Sequence, residues 1–205
     1  MKSPGILPSG GSTLTDYSAL LHTKLGPARA EHSFLTAGAA VELAERYGAD
    51  PQKAYAAGLL HDIMKDAAEA EQLQTMRNAG IGLEEWEKNS PKLWHAIAGA
   101  AFLKTALKIE DEDIVNAVRY HTTGRAGMSV LEKVIYIADY ISPDRMYRDV
   151  ETMRELAGKS LEDAMLYALR YTIGRLAESG KAIHPDSVNC YNEVLAAVDK
   201  HRVSE

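Results

Sequence analysis

The sequence predicts a single all-α domain. Apolar residues recur with helical spacing from about Leu14 to the C-terminus, and no stretch keeps the alternating pattern of a strand for long. Capping signals separate the periodic segments, and Gly48, Gly80 and Gly180 stand where helices are expected to end. A chain of 205 residues fits one domain that builds its own core.

Six helices are predicted in the first half of the chain. Asp50-Pro51 is an N-cap followed by proline at the first helical position, and Ser90-Pro91 repeats this arrangement. Asp66 with Glu69 resembles a capping box and predicts a helix that begins at residue 66. The six predicted helices span about residues 14–25, 29–47, 51–62, 66–79, 83–88 and 91–107.

The second half adds four predicted helices, for roughly nine or ten in the whole domain. Ser129 with Glu132 and Ser160 with Asp163 mark two of the helix starts. Residues 139–149 are irregular and are expected to form a surface loop. The four predicted helices span about residues 111–121, 129–141, 160–179 and 186–201. Residues 1–13 are rich in Gly, Pro and Ser and are predicted to be a mobile leader, which leaves 14–205 as the domain.

Composition and charge exclude several classes of function. The net charge of −6 and the pI near 5.7 argue against a nucleic-acid-coating surface, so an anionic substrate needs a local positive site. The single cysteine, Cys190, excludes an internal disulfide and a thiolate metal cluster. No segment has the roughly 20 consecutive apolar residues of a membrane span, and residues 1–13 lack a signal-peptide core. These features predict a cytoplasmic protein without nucleic-acid or membrane partners.

Six potential metal ligands lie on the apolar faces of predicted helices. His61 and Asp62 end an apolar run, and Asp139 aligns with Leu131 and Ile135 on its helix. Imidazole and carboxylate groups are costly in apolar surroundings unless something pairs with them. The set therefore predicts a shared partner, a metal centre, formed by His32, His61, Asp62, His95, His121 and Asp139.

An alternative stays open for each histidine taken singly. One imidazole on an apolar face is more often a core residue that hydrogen-bonds a backbone carbonyl. Asp139 is harder to explain in this way, because an ionised carboxylate in an apolar stripe needs a cation or several donors.

The order of these residues resembles the HD-domain superfamily of metal-dependent phosphohydrolases, over about residues 29–192. Longer motifs surround them: Arg29-x-x-His32, Leu59-Leu60-His61-Asp62-Ile63-x-Lys65, His121-Thr122-Thr123-Gly124, Glu132-Lys133-Val134-Ile135-Tyr136-Ile137-Ala138-Asp139, Ile141-x-Pro143-x-Arg145 and Tyr191-Asn192. In these motifs the chain resembles the YqeK-type family of symmetrical bis(5'-nucleosyl)-tetraphosphatases, except that Glu132 stands where that family usually has aspartate.

The resemblance implies a helical HD domain in which iron, as one or two ions, is held by four of the six residues. These four are His32, His61, Asp62 and Asp139. His95 and His121 then complete a second metal site or bind the substrate phosphate. A donor set of nitrogen and oxygen without sulfur also suits manganese, cobalt or zinc and does not choose between them.

Substrate-binding residues follow from the same motifs. Lys65 lies four residues after His61, and Arg145 lies in the irregular loop after Asp139, so both cations are placed to contact phosphate. Solvated surface charge is the alternative for both. Asp62 and Lys65 are the predicted catalytic residues. The predicted substrate-binding set is His32, Asp62, Lys65, His95, His121, Thr122, Asp139 and Arg145, with the family's nucleotide-lining turn Ile183, His184, Pro185, Asp186 and Ser187.

The function implied by the resemblance is symmetrical hydrolysis of diadenosine tetraphosphate. A metal-bound hydroxide attacks a central phosphorus and releases two ADP, so a dinucleoside polyphosphate or ADP is the expected ligand. The alternatives are another HD-domain nucleotide phosphatase or phosphodiesterase and a non-catalytic nucleotide-sensing module. Oligomeric state stays open, with a homodimer as one alternative.

Overall fold

The computed structural model describes residues 14–203, and the side chains of residues 17–200. The described residues form eleven α-helices and no strand, which confirms the all-α prediction. No helix in this part of the chain is long and apolar enough to cross a membrane. The predicted leader, residues 1–13, lies outside the described residues. The helices are α1 (Leu14–Lys24), α2 (Pro27–Tyr47), α3 (Pro51–Leu60), α4 (Glu69–Asn78), α5 (Glu85–Lys88), α6 (Trp94–Thr105), α7 (Glu112–Tyr120), α8 (Val130–Ile141), α9 (Val150–Lys159), α10 (Leu161–Glu178) and α11 (Pro185–Val203).

Local capping explains where several helices begin. The Asp50 carboxylate accepts hydrogen bonds from the backbone N–H groups of Gln52 and Lys53, at 2.8 and 3.2 Å, and starts α3. Ser129 and Glu132 form the predicted capping box of α8. The start predicted at Asp66 is wrong, because α4 begins at Glu69 and the Asp66 carboxylate instead accepts from the N–H of Gly26, at 2.9 Å.

The centre of the bundle is built on α2, which packs against both α3 and α8. Helices α2 and α3 approach so closely that a Cβ on Gly58 would lie 2.8 Å from Cα of Ala37. Only glycine fits there without a shift of the backbone. The close contact fixes the C-terminal end of α3 against the middle of α2. Of the predicted ligands, His32 lies on α2, and His61 and Asp62 directly follow α3.

One helix was missed in the sequence. Residues 150–159 form α9, whereas no helix is predicted there, so the expected nine or ten helices fall short of the eleven in the described residues. Val150, Met153 and Ala157 are buried and pack this helix against α8 and α10. The predicted loop is therefore shorter than expected. It covers residues 142–149, because the first part of the segment belongs to the last turn of α8.

Candidate metal centre

The six predicted ligands converge on one side of the bundle. His32 lies in the second turn of α2, and His95 lies in the first turn of α6. His61 and His121 immediately follow the last residues of α3 and α7. Five of the six side chains are buried, and the Asp139 side chain in the last turn of α8 is 20% exposed. Buried and nearly buried groups from five helices thus share one site.

The first group of donor atoms consists of His32, His61 and Asp139. Nε2 of His32 lies 3.0 Å from Oδ1 of Asp139, and Nε2 of His61 lies 4.0 Å from the same oxygen. The three donor atoms lie within 4.8 Å of one another. A single ion can therefore contact all three with small side-chain adjustments.

The second group surrounds Asp62. Its Oδ1 lies 3.2 Å from Nε2 of His95 and 3.5 Å from Nε2 of His121. Its Oδ2 lies 3.6 Å from Nε2 of His61, so that imidazole borders both groups. Donors bound to one ion at about 2.0–2.2 Å are separated by roughly 2.8–3.6 Å in tetrahedral or octahedral geometry. The spacing around Asp62 matches that range.

Backbone carbonyls orient two of the imidazoles. Nδ1 of His61 donates to the carbonyl of Gly58 at 2.7 Å, and Nδ1 of His121 donates to the carbonyl of Val118 at 2.8 Å. In each neutral ring the proton then lies on Nδ1 and the lone pair on Nε2 faces the site. Burial lowers the pKa of His61 to about 4, so the ring is neutral and ready to ligate at neutral pH.

The site fits a divalent metal ion. Nε2 of His61 is buried and has no hydrogen-bond partner, which is costly for a polar atom unless something binds its lone pair. A metal ion supplies that partner, and the surrounding donors are the nitrogen and oxygen atoms that borderline and hard divalent ions prefer.

Both carboxylates are held in the ionised form. Burial raises the pKa of Asp139, but hydrogen bonding to His32 and electrostatic interactions with His61 and Arg145 outweigh it, and the net effect is a strong lowering of the pKa. Burial also opposes ionisation of Asp62, whose pKa nevertheless lies well below its ordinary value because of the surrounding imidazoles and Lys65. Two fixed negative charges therefore face the metal position.

Three cations border these carboxylates. Nη1 of Arg29 lies 2.9 Å from Oδ2 of Asp62, and Nζ of Lys65 lies 3.8 Å from its Oδ1 and 3.0 Å from Nε2 of His95. Arg145 donates from Nε to the backbone carbonyl of Asp139 at 2.7 Å and pairs with the carboxylate of the same residue. Burial lowers the pKa of Lys65. Lys65 and Arg145, the two predicted phosphate-binding cations, thus both lie beside the carboxylates of the site. Arg29 lies there as well, although it had no predicted role beyond its place in a motif.

Asp144 is a further residue that the sequence analysis missed. Its Oδ2 lies 2.8 Å from Nδ1 of His32, on the side of the imidazole that faces away from Asp139. Asp144 stands in the loop between α8 and α9, 112 residues from His32 along the chain. No local signal in the sequence marks such a contact.

One of two neighbouring cavities is lined by members of the centre, and the other shares Thr122 with it. The smaller, about 280 Å³, is lined by His121, Thr122, Asp139, Tyr140, Arg145 and Tyr147. The larger, about 590 Å³, also borders Thr122 and is lined by Thr123, His184 and Ser187 among others. The hydroxyls of Thr122 and Thr123 and Nε2 of His184 are buried without a hydrogen-bond partner. A ligand in the larger cavity can satisfy these three atoms.

The predicted nucleotide-lining turn is only partly at this cavity. His184 and Ser187 line it, whereas Ile183, Pro185 and Asp186 are not among the lining residues. Ser187 donates through Oγ to the carbonyl of Thr123 at 2.8 Å, and the backbone N–H of Asp186 donates to Nδ1 of His184 at 3.1 Å. The turn therefore presents the side chains of His184 and Ser187 to the larger cavity, and these two hydrogen bonds fix their orientation.

The fold and the paired His/Asp groups define a metal-binding hydrolase of the HD type. The model of the HD domain matches residues 29–144, and the chain belongs to the HD-domain family. An HD domain implies divalent metal binding, and both groups of donors described above are able to hold such an ion.

Relatives make the assignment within the family more specific. The chain is 38% identical to the symmetrical bis(5'-nucleosyl)-tetraphosphatase of Bacillus subtilis, over 80% of this chain and 88% of the relative. It is 37% identical to the protein of the same name from Halalkalibacterium halodurans, over 82% and 89% of the two chains. Within the HD-domain family the chain belongs to the group of these two relatives.

A solved structure has the same fold. The protein, described as a predicted HD superfamily hydrolase involved in NAD metabolism from Clostridium acetobutylicum, superposes with a TM-score of 0.88. The match covers 92% of this chain and 100% of that chain, at 34% identity. The helical arrangement that positions the metal centre is therefore shared with this hydrolase.

Proposed function

We propose that this protein hydrolyses diadenosine tetraphosphate symmetrically and releases two molecules of ADP. The observation that carries the proposal is that the larger cavity shares the lining residue Thr122 with the cavity that borders His121 and Asp139. A volume of about 590 Å³ lies within the range of about 300–1,000 Å³ for small-molecule sites. The names of the relatives supply the substrate class.

The proposed primary metal ligands are His32, His61, Asp62 and Asp139. His95 and His121 complete a second metal position or contact the substrate phosphate directly; their Nε2 atoms, 3.3 Å apart, suit either role. Iron is the proposed resident metal, and manganese, cobalt and zinc are compatible alternatives because all accept this donor set.

A bound divalent metal supplies Lewis acidity, which activates water near neutral pH and stabilises negative charge on the attacked phosphoryl group. Asp62 is placed to orient the attacking water, because its Oδ1 lies 3.2 Å from Nε2 of His95, has no hydrogen-bond partner and, as a carboxylate oxygen, is able to accept one. Lys65 and Arg145 hold the phosphate chain and neutralise the charge that grows in the transition state. Arg29, paired with Asp62, adds a third positive charge on the same rim.

Symmetrical cleavage follows from seating one whole ADP moiety. The larger cavity takes the nucleoside, and the terminal phosphorus of that ADP unit reaches the centre past Thr122. Nδ1 of His184 accepts the backbone N–H of Asp186 at 3.1 Å, and its Nε2, which lies 3.5 Å from Oε1 of Glu87, is the atom of the ring left to contact the ligand. Thr122 and Thr123 offer the other unpaired polar atoms. Cleavage at that phosphorus leaves two identical products.

The test is a product assay on diadenosine tetraphosphate with iron, manganese, zinc or cobalt added to metal-free protein. Anion-exchange chromatography should show ADP as the sole nucleotide product, and His61→Ala should be inactive with every metal. Formation of AMP and ATP would contradict the symmetrical reaction. Release of nucleoside and phosphate from nucleotides, with diadenosine tetraphosphate intact, would favour another HD-domain phosphatase. Binding of ADP without turnover under any metal would favour a sensor.

A further inference from the structure

The imidazole of His32 lies between two carboxylates. Nε2 faces Asp139 at 3.0 Å, and Nδ1 faces Asp144 at 2.8 Å. The His32 ring is buried, whereas the Asp144 side chain is 36% exposed at the edge of the loop after α8. Both distances are those of charge-assisted hydrogen bonds. His32 is thus held from both sides by contacts made more than a hundred residues away in the chain.

This arrangement differs from that of His61 and His121. Those two rings donate from Nδ1 to neutral carbonyls, Gly58 and Val118, three residues earlier in the same helical segment. The orientation of these two rings is therefore set by the backbone of the helix end to which each residue belongs. His32 has a carboxylate in the equivalent position, so its orientation depends on the loop. A carboxylate also makes the imidazole a stronger donor to a metal than a carbonyl does.

We propose that Asp144 is a positioning residue that sets the metal affinity of His32. When a metal ion takes the place of the proton between Nε2 and Asp139, Asp144 would accept the remaining proton at Nδ1, fix the orientation of the ring and strengthen Nε2 as a metal ligand. This inference rests on the proposed assignment of His32 as a metal ligand.

The same short turn also connects Asp144 to a substrate contact. The backbone N–H of Arg145 donates to the carbonyl of Ser142 at 2.9 Å, in the turn that carries both Asp144 and Arg145. Nη2 of Arg145 lies 3.4 Å from Nε2 of His32. Asp144 therefore ties the loop that carries Arg145 to a metal ligand.

Cobalt titration of the metal-free full-length protein tests the proposal, because visible absorption of Co²⁺ reports binding without any turnover. The variants are Asp144→Ala, Asp144→Asn, His32→Ala and the control Asp149→Asn. Asp149 lies in the same loop, its side chain is 46% exposed, and its carboxylate lies 3.9 Å from Nε of Arg148. Asp144→Ala should weaken Co²⁺ binding about 10- to 100-fold. Asp144→Asn should fall in between, because the amide oxygen still accepts the hydrogen bond but carries no charge. The control should stay within twofold.

The outcomes separate this inference from the proposed function. Weakened binding in His32→Ala together with wild-type binding in Asp144→Ala would overturn the role of Asp144 and leave the ligand set intact. Wild-type binding in His32→Ala would overturn the ligand assignment itself. If circular dichroism shows that Asp144→Ala is unfolded, Asp144→Asn decides: binding equal to wild type overturns the proposal, and weaker binding in a folded variant supports it.

Discussion

Nε2 of His95 and Nε2 of His121 lie 3.3 Å apart, although the residues belong to different helical segments. Each also lies within 3.5 Å of the same carboxylate oxygen, Oδ1 of Asp62. Two buried imidazoles at this distance cannot both be protonated without strong repulsion, and burial lowers the pKa of His95. The pair is therefore suited to bind a cation or to donate to an anionic ligand through one shared proton.

The first prediction concerns this pair. His95→Ala and His121→Ala should each reduce kcat/KM on diadenosine tetraphosphate by about 100-fold, because a contact to the reacting phosphoryl group is lost. Binding of a first metal ion at His32, His61 and Asp139 should persist in both variants. Steady-state kinetics and metal analysis measure the two effects. His22→Ala, an exposed histidine of α1, is the control and should match wild type. Full activity in both variants would show that His95 and His121 are core residues without a role in the reaction.

The second prediction separates substrate binding from metal binding at Arg145. Arg145→Ala should lower kcat/KM by about 10- to 150-fold through the loss of a charge-assisted contact. Arg145→Lys should also be harmful, because an ammonium cannot reproduce the bidentate guanidinium. Metal content should be unchanged in both. Arg148, whose side chain is 96% exposed, provides the matched control Arg148→Ala. Wild-type kcat/KM in Arg145→Ala would show that this loop does not touch the substrate.

The third prediction concerns metal removal. A chelator should abolish activity, and restoring Fe²⁺, Mn²⁺ or Co²⁺ should recover it. At a metal concentration about 100 times Kd the ion should stabilise the fold by about 2.7 kcal/mol, which raises Tm by about 5–10 °C for a chain of this size. His61→Ala should show little dependence of Tm on metal. An equal metal-induced shift in that variant would place the ion elsewhere.

The fourth prediction concerns the contact between α2 and α3. Gly58→Ala should destabilise the protein by about 1–3 kcal/mol, because the added Cβ meets the backbone of Ala37 at 2.8 Å. Gly38→Ala is the control: it lies within α2, its Cβ meets nothing within 4 Å, and helix propensity should stabilise it by about 0.5–1 kcal/mol. Chemical denaturation measures both. Equal effects would show that the two helices can separate without cost.

The fifth prediction concerns the single cysteine. Cys190 is buried, and burial raises the pKa of its thiol to about 11. The thiolate is the reactive form, so the native protein should react slowly with a disulfide reagent at pH 8. In guanidinium chloride the reaction should be complete within the mixing time. Rapid reaction in native conditions would indicate frequent local opening around α11.

Helical periodicity was sufficient to predict that the six residues come together, because each one takes the place of a core residue on an apolar stripe. His32, His95 and Asp139 could be aligned with apolar neighbours without knowing how the helices pack. The same logic failed for α9. Its apolar stripe of Val150, Met153 and Ala157 is present, but Asp149 makes no side-chain cap. Gly158 also lies within the helix and weakens the signal.

Helical periodicity does not reveal contacts between segments that are distant in the sequence. Asp144 lies in a loop where a carboxylate is ordinary, and only the packing of α2 against the end of α8 brings it to His32. The cavity beside Thr122 likewise forms from loops and helices distant in sequence. Asp66 was assigned to a helix start because its local pattern fits a cap, yet the Gly26 N–H is the partner in the folded chain.

The position of the two donor groups along the chain bears on how the protein is made. His61, Asp62 and His121 form one group, and His61 also belongs to the other with His32 and Asp139. A chain growing from its N-terminus contains the complete Asp62 group before Asp139 has been synthesised, because Asp139 comes later in the sequence than His121. Until α8 emerges and docks on α2, the nascent protein can offer a metal ion only the group around Asp62. The two donor groups therefore become available to a metal ion in the order in which their residues are translated, the Asp62 group first.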